Sequence, residues 1–141
     1  MEFPTIVADI MSSPVIKVEG NTSVRDSALL MINQGIGSLI VTHADKPVGI
    51  VTETDLIERV VALCKDPCEI SIREVMSKPI IWIDKNKGIL EAIRRMRDEG
   101  ISRLLVMEGD SLVGIVSERD LLRGVSIASL TSFNSLLRIK S

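Results

Sequence analysis

The chain has 141 residues, of which 45% are hydrophobic and 26% are charged. These proportions are typical of a globular protein and argue against a disordered or fibrous chain. A formal net charge of −2 argues against nucleic acid as a partner, because a broad phosphate-binding surface needs a basic excess. Only 2% of residues are aromatic, which predicts an aliphatic core and few platforms for base stacking.

The sequence also carries no signal for a membrane or a metal. It has no run of about 18 apolar residues, which predicts no membrane-spanning helix. Its first residues lack the basic and apolar regions of a secretory signal, so with only two cysteines, Cys64 and Cys68, we expect a reduced, cytoplasmic protein. These thiols and one distant histidine, His43, are too few for a structural zinc site.

The chain is a tandem repeat with an offset of 65 positions. Residues 11–57 align with residues 76–122 without a gap. Met11 and Met31 align with Met76 and Met96, and we expect these methionines to form contacts between the copies. Gly35 aligns with Gly100, and we expect both glycines to end helices. The protein therefore consists of two copies of one unit.

Each copy predicts the element order strand, helix, strand, strand, helix. In the first copy a strand over 15–18 precedes a helix with apolar residues at helical spacing, which include Val24, Met31 and Ile32. Strands over 38–42 and 47–51 follow, and a second helix begins at Thr52. The second copy predicts the same elements 65 positions later: strands over 80–83, 103–107 and 112–116, a helix that ends at Gly100, and a helix from Ser117.

One copy is too small for a stable core of its own, so we expect the two to share one in a mixed α/β (α+β) fold. The predicted repeats cover residues 5–64 and 70–125, and Pro67 breaks the helix in the linker 65–69. The tail, 126–141, has apolar residues at spacings of three and four. It either closes the core of this protein as a helix or forms a docking surface.

A strand-to-helix motif occurs in both copies, Gly49-Ile50-Val51-Thr52-Glu53-Thr54-Asp55 and Gly114-Ile115-Val116-Ser117-Glu118-Arg119-Asp120. It has two interpretations. The hydroxyl and the carboxylate three residues later form a capping box, although Asp is shorter than the usual Glu or Gln. Alternatively, the Asp binds the hydroxyls of a sugar, with the helix start facing a phosphate and the glycine allowing close approach of the ligand.

The motifs resemble those of a tandem pair of cystathionine-β-synthase (CBS) domains, a Bateman module. Each copy opens with an acid, Ile or Val, Met and a Pro three residues later, and closes with the strand-to-helix motif. The resemblance covers roughly residues 5 to 125 and implies two β-α-β-β-α units paired through their sheets with pseudo-two-fold symmetry. Family members commonly bind adenine nucleotides or S-adenosylmethionine and regulate an attached or partner protein.

The resemblance implies two ligand clefts, each built from both repeats. Cleft A is expected to contact adenine, ribose and phosphate in turn: the backbone of Ile16, an apolar wall of Ile36 and Gly37, Asp120 on the ribose, and Ser117, Arg103 and Arg119 on the phosphate. Cleft B uses the corresponding residues: Ile81, Ile101, Ser102, Thr52 and Asp55.

The clefts are predicted to differ in charge. Where the second repeat has Arg103 and Arg119, the first has Ser38 and Thr54. Because arginine forms charge-assisted hydrogen bonds with phosphate, we expect cleft A to bind a phosphorylated nucleotide about tenfold or more tightly than cleft B. Cleft B then takes a less charged adenosyl ligand or stays empty.

The resulting hypothesis is a regulatory module that senses an adenosyl ligand, AMP, ADP, ATP, NAD or S-adenosylmethionine, and requires no cofactor. It signals to a protein partner in trans, and the family leads us to expect a homodimer. One alternative is a structural or protein-interaction module without a ligand. The other is an enzyme, for which the spacing of residues suggests no nucleophile with a base and an orienting acid.

Overall fold

The computed structural model describes residues 4–13, 15–78 and 80–124. The chain divides into two compact units. We call residues 15–80 the first unit, and residues 4–13 together with 81–124 the second unit. The predicted repeats follow chain order, whereas in the structure the segment that opens each repeat packs in the unit formed by the other repeat.

The first unit contains one three-stranded sheet and two helices. In chain order its elements are β1 (Lys17–Glu19), α1 (Val24–Gln34), β2 (Ser38–His43), β3 (Lys46–Thr52) and α2 (Glu53–Leu56). A π-helical turn, Ile57–Val61, extends α2, and a 3-10 turn, Ile72–Glu74, lies in the segment that follows. The strand order is β1-β2-β3, with β1 parallel and β3 antiparallel to β2.

The second unit has the same order of elements. After a 3-10 turn at Val7–Asp9 come β4 (Trp82–Asp84), α3 (Ile89–Glu99), β5 (Arg103–Glu108), β6 (Ser111–Ser117) and a helix over residues 118–124, named α4. Its sheet has the order β4-β5-β6 with the same parallel and antiparallel pairs. The predicted sequence of strand, helix, strand, strand, helix is therefore confirmed in both copies.

Local sequence explains where the long helices begin and end. The Ser23 hydroxyl accepts a hydrogen bond of 3.0 Å from the Asp26 amide and caps α1. Gly35 and Gly100 end α1 and α3 with φ of 64° and 65°, in the left-handed conformation that glycine adopts without steric cost. Both predicted helix ends are confirmed.

Each unit buries its own aliphatic cluster, as the composition predicted. In the first unit, Leu39, Val41 and Val51 of the sheet pack with Ile72 and Val75 from the opening segment of the second repeat. In the second unit, Val7 from the opening segment of the first repeat packs with the corresponding core: Ile83, Ile89, Ala92, Met96, Leu104, Val106, Val116 and Leu121. Leu39, Ile72 and Val7 are completely buried, so each opening segment completes a core.

One local prediction needs correction. The helical segment after β3 ends at Val61, before the predicted break at Pro67. Cys64 follows in a left-handed conformation, and both Cys64 and Cys68 are exposed. Trp82 on β4 is 59% exposed within the chain.

Two other predictions concern the tail and membrane-spanning helices. The predicted helix of the tail, 126–141, lies outside the described residues. No helix in the part of the chain that the structure describes is long and apolar enough to cross a membrane.

Candidate functional site

The strand-to-helix junctions form a capping box in both units. In the first, the Thr52 amide donates to Asp55 Oδ2 at 2.9 Å, and the Asp55 amide donates to Thr52 Oγ1 at 3.3 Å. In the second, the Ser117 amide donates to Asp120 Oδ2 at 2.9 Å, and the Asp120 amide donates to Ser117 Oγ at 3.1 Å. Aspartate is therefore long enough for this role, and capping engages only one carboxylate oxygen of each residue.

The second oxygen of Asp55 is engaged inside the first unit. Ser77 Oγ donates to Asp55 Oδ1 at 2.9 Å, and Arg59 Nε lies 3.9 Å from the same oxygen. The Arg59 guanidinium also donates from Nη1 to the carbonyl of Met76 at 2.7 Å and to that of Val75 at 3.3 Å. Asp55 is buried, and both of its oxygens have partners within the unit.

The second oxygen of Asp120 has no partner among the described residues, where Oδ1 of this half-buried side chain accepts no hydrogen bond. Ser12 and Gly124 stand at the positions that correspond to Ser77 and Arg59. The hydroxyl of Ser12 makes no bond to Asp120 within the described ranges, and Gly124 has no side chain to contribute.

Two arginines lie at the junction that carries Asp120. Arg103 begins β5 and is the register partner of Ser117 at the end of β6, and Arg119 immediately precedes Asp120 in an exposed position. The corresponding pair in the first unit is Ser38 with Thr52. The backbone thus brings both arginines to the junction of the second unit, and their predicted contact with a phosphate stays a prediction.

Sequence reasoning missed Arg59 and Ser77. Arg59 brings a guanidinium to the first unit, which the sequence comparison described as poor in cations at this position. A signal was available, because Asp55 and Arg59 are four residues apart in a predicted helix and such residues lie on one face. No comparable signal identifies Ser77, which is 22 residues from Asp55 in the opening of the other repeat.

The glycines of the motif have a different role from the one predicted. A Cβ atom on Gly49 would lie 2.5 Å from Met76 Sδ, and one on Gly114 would lie 2.6 Å from Met11 Sδ. The space over each glycine is therefore filled by a methionine of the opening segment and not kept open for a ligand. Both methionines pack within the units, Met76 in the core and Met11 against it.

The remaining predicted site residues lie next to the junctions by backbone contacts. The Gly37 carbonyl accepts the Glu53 amide at 3.1 Å, and the Ser102 carbonyl accepts the Glu118 amide at 2.8 Å. The carbonyl of Ile16 accepts a hydrogen bond of 3.0 Å from the Ile40 amide of β2, and the carbonyl of Ile81 accepts one of 2.9 Å from the Leu105 amide of β5. Ile36 and Ile101 pack against the cores of their own units. The combination of residues from both repeats in clefts A and B stays a prediction.

Ile36 and Gly37 also line a groove of about 490 Å³ on the helical side of the first unit. It lies between α1 and α2, and Glu53 is the only charged residue among the described residues that line it. Neither Thr52 nor Asp55 lines this groove. The groove therefore adjoins the junction through Glu53 but does not include its capping residues, and its lining is mostly apolar.

The acid that opens each repeat motif caps a turn. Asp9 Oδ2 accepts the amides of Thr5 and Ile6 at 2.9 and 3.1 Å, and these two bonds lower the pKa of Asp9. Glu74 Oε2 accepts the amide of Ser71 at 2.7 Å and its hydroxyl at 3.2 Å, which lowers the pKa of Glu74. These motif acids therefore have local partners within the chain.

Comparisons with known proteins identify the same repeat. A family model described as the CBS domain matches residues 7–62 and 72–127. An uncharacterised protein of Methanocaldococcus jannaschii is 44% identical over 117 residues, which are 83% of this chain and 60% of that protein. An uncharacterised protein of Methanopyrus kandleri is 37% identical over 119 residues, 83% of this chain and 61% of that protein. The chain thus spans about six tenths of the length of these relatives.

A solved structure shares the fold. The hexameric CBS-CP12 protein from bloom-forming cyanobacteria aligns with a TM-score of 0.74 and 34% sequence identity. The alignment covers 83% of this chain and 66% of that protein. Sequence and structure therefore point to the same repeated unit.

Proposed function

The chain belongs to the CBS-domain family, and we propose on that basis that it is a regulatory module that binds an adenosine-containing ligand at the junction carrying Asp120. One observation carries this proposal: Asp120 uses one oxygen to cap its helix, and its other oxygen accepts no hydrogen bond from the residues that the structure describes. The corresponding Asp55 has no such free oxygen. The module passes the occupancy of this site to a protein partner in trans.

The chemistry of the junction suits a nucleotide. Asp120 Oδ1 is a charged acceptor for a ribose hydroxyl, the role that acidic residues have in dinucleotide-binding folds. Arg103 and Arg119 supply planar, permanently charged donors for a phosphate. Carboxylate, hydroxyl and guanidinium groups in this arrangement favour binding over catalysis.

Calorimetric titration with ATP tests the proposal. We expect the wild-type protein to bind ATP and Asp120→Asn to lose affinity by about tenfold or more, because a lost hydrogen bond to a charged group contributes about 1.5–3 kcal/mol. Asp110→Asn is the matched control, since it makes the same change of charge at an exposed turn of the same unit. Equal affinities of the Asp120→Asn and Asp110→Asn proteins contradict the proposal.

We also propose that the chain self-associates through the helical side of the first unit. Ile32, Ile57 and Val61 are exposed there by 73%, 60% and 70%, which is characteristic of an interaction surface. The related cyanobacterial protein is hexameric. A homodimer is the simplest assembly that covers this surface, and its mass in solution can be measured by light scattering.

A second candidate function is an interaction module that binds no small molecule. The capping boxes favour it, because they give both aspartates a role without a ligand. A thermal-shift series distinguishes the two, since a ligand at 100 times its Kd adds about 2.7 kcal/mol of stability. If millimolar AMP, ADP, ATP, NAD and S-adenosylmethionine all leave Tm unchanged, the interaction module is the better description.

A further inference from the structure

We propose that the first repeat no longer offers its aspartate to a ligand, and that Arg59 and Ser77 are the residues that withdraw it. The inference rests on the proposed function for its ligand part and goes beyond it. In place of two equivalent sugar-binding aspartates, only Asp120 binds a sugar, and Asp55 has a structural role. We call the contacts among Asp55, Arg59 and Ser77 the internal latch.

The internal latch occupies the oxygen that a sugar would need. Asp55 Oδ2 is held by the Thr52 amide, and Oδ1 accepts the Ser77 hydroxyl at 2.9 Å. A ribose hydroxyl that approached Oδ1 would have to displace the half-buried Ser77 hydroxyl from the buried Asp55. A buried polar group that loses its partner incurs a desolvation penalty, so this exchange is unfavourable.

Arg59 holds Ser77 in place. Its Nη1 donates to the carbonyls of Val75 and Met76, the two residues that immediately precede Ser77. The backbones of Ser77 and Ile50 also exchange hydrogen bonds of 2.7 and 3.1 Å. The segment is therefore fixed on both sides, and the Ser77 hydroxyl meets the carboxylate.

A π-helical turn carries Arg59. The turn spans Ile57–Val61, and the Ala62 amide donates to the Ile57 carbonyl at 2.8 Å, five residues back. π-Helical turns are rare, but those that occur are frequently found at functional sites. This irregular turn places the arginine where it contacts both Asp55 and the carbonyls before Ser77.

The second repeat lacks the parts of the latch. Gly124 replaces arginine, and a Cβ atom there would lie 3.1 Å from Ile10 Cγ2, so a side chain enters only if Ile10 shifts. Ser12 keeps its backbone pairing with Ile115, at 2.8 and 3.0 Å, but within the described ranges its hydroxyl makes no bond to Asp120. The same fold therefore closes the carboxylate of Asp55, while the described residues give the second oxygen of Asp120 no partner.

The first experiment needs no ligand. Urea unfolding of Ser77→Ala should show a folded-to-unfolded ratio lowered about fivefold, whereas the matched Ser12→Ala should change it by less than about twofold. The effect of Ser77→Ala should shrink in an Arg59→Gln background, because the two residues act on one carboxylate. Equal effects of Ser77→Ala and Ser12→Ala, or additive effects of Ser77→Ala and Arg59→Gln, overturn the latch.

The second experiment counts sites with ATP. We expect one ATP per wild-type chain in calorimetry, bound about tenfold or more weakly in Asp120→Asn and as tightly as in wild type in Asp55→Asn. A second ATP per wild-type chain that is lost in Asp55→Asn overturns the inference, because a ligand would then use Asp55. A wild-type protein that binds no ATP, AMP or S-adenosylmethionine contradicts the proposed function, while the unfolding experiment still decides whether the latch exists.

Discussion

The two units have the same fold, but they use the second oxygen of the same aspartate in opposite ways. Both have the strand order, the capping box, the left-handed glycine after the first long helix and a methionine over the strand glycine. Around Asp55 the first unit adds Arg59 and Ser77, and around Asp120 the second adds Arg103 and Arg119. Duplication has thus retained the scaffold, whereas the groups around the carboxylate have diverged.

The first long helices differ in the same manner. On α3, Arg95 and Arg97 pair with Glu99 and Asp98 at 3.8 and 3.4 Å, as expected of a solvated face. On α1, Ile32 stands where α3 has Arg97, and it is 73% exposed. At this position the unit with the closed carboxylate therefore exposes an apolar side chain where the other unit has an ion-paired arginine.

The shared scaffold should be equally sensitive in both units. Gly49→Ala and Gly114→Ala each place a methyl group against a methionine, so each should lower the free energy of unfolding by about 1–3 kcal/mol. Denaturant titration measures both, and Met76→Ala and Met11→Ala should relieve the respective variants. A large loss for one glycine and none for the other breaks the symmetry on which the comparison rests.

Replacement of Arg103 and Arg119 tests whether the charge of the second unit strengthens the binding of a phosphate. A protein with Arg103→Ser and Arg119→Thr carries the residues of the first repeat and should bind ATP about tenfold more weakly, because phosphate loses charge-assisted donors. Adenosine, which has no phosphate, should bind as before. Calorimetry with both ligands measures this, and equal losses for ATP and adenosine would show that the arginines support the fold and not the phosphate.

Ile32→Arg tests the assignment of association to the first unit. The variant puts into α1 the residue that α3 has at the corresponding position, and a charge in an apolar interface should weaken self-association about tenfold. Sedimentation or light scattering over a range of concentrations measures it. Leu90→Arg is the control, because Leu90 is also an exposed apolar residue but lies on α3 of the second unit. If Leu90→Arg has the larger effect, association belongs to the other unit.

The acids that cap the opening segments predict a smaller effect. Their pKa values in the folded protein lie below the ordinary 4.5 for Glu74 and 3.8 for Asp9. Each contact therefore stabilises the protein above that ordinary value and is lost as the pH falls through the lowered pKa. Tm should decline on acidification below about pH 4.5, less steeply in Glu74→Gln and Asp9→Asn. Variants that decline as steeply as wild type contradict this assignment.

The elements could be predicted from sequence because their signals are local. Helical spacing and the glycines located α1 and α3, and the hydroxyl before an acid located the start of α2. Exposure was harder to predict: Ile32 has the spacing of a buried residue but lies on the surface, whereas Val24 and Met31 of the same helix are buried. Periodicity identifies an apolar face, but it does not tell which part of that face is covered.

The site was predicted in part. The carboxylates and the arginines follow from the motif and from comparison of the copies. The contact of Ser77 with Asp55 does not, since Ser77 belongs by sequence to the opening of the second repeat and by packing to the first unit. For the same reason the sequence did not predict the contacts of Met76 with Gly49 and of Met11 with Gly114, since each methionine belongs to the opening segment of the other repeat.

The exchange of opening segments also sets an order of events during synthesis. Residues 15–80 are contiguous and can complete their core, including Ile72 and Val75, while the ribosome is still translating the second repeat. Residues 4–13 are translated before the first unit, yet Val7 finds its packing partners only after Val116 and Leu121 have been added. The segment 4–13 therefore has to wait for the whole first unit and most of the second repeat to be synthesised before it can pack.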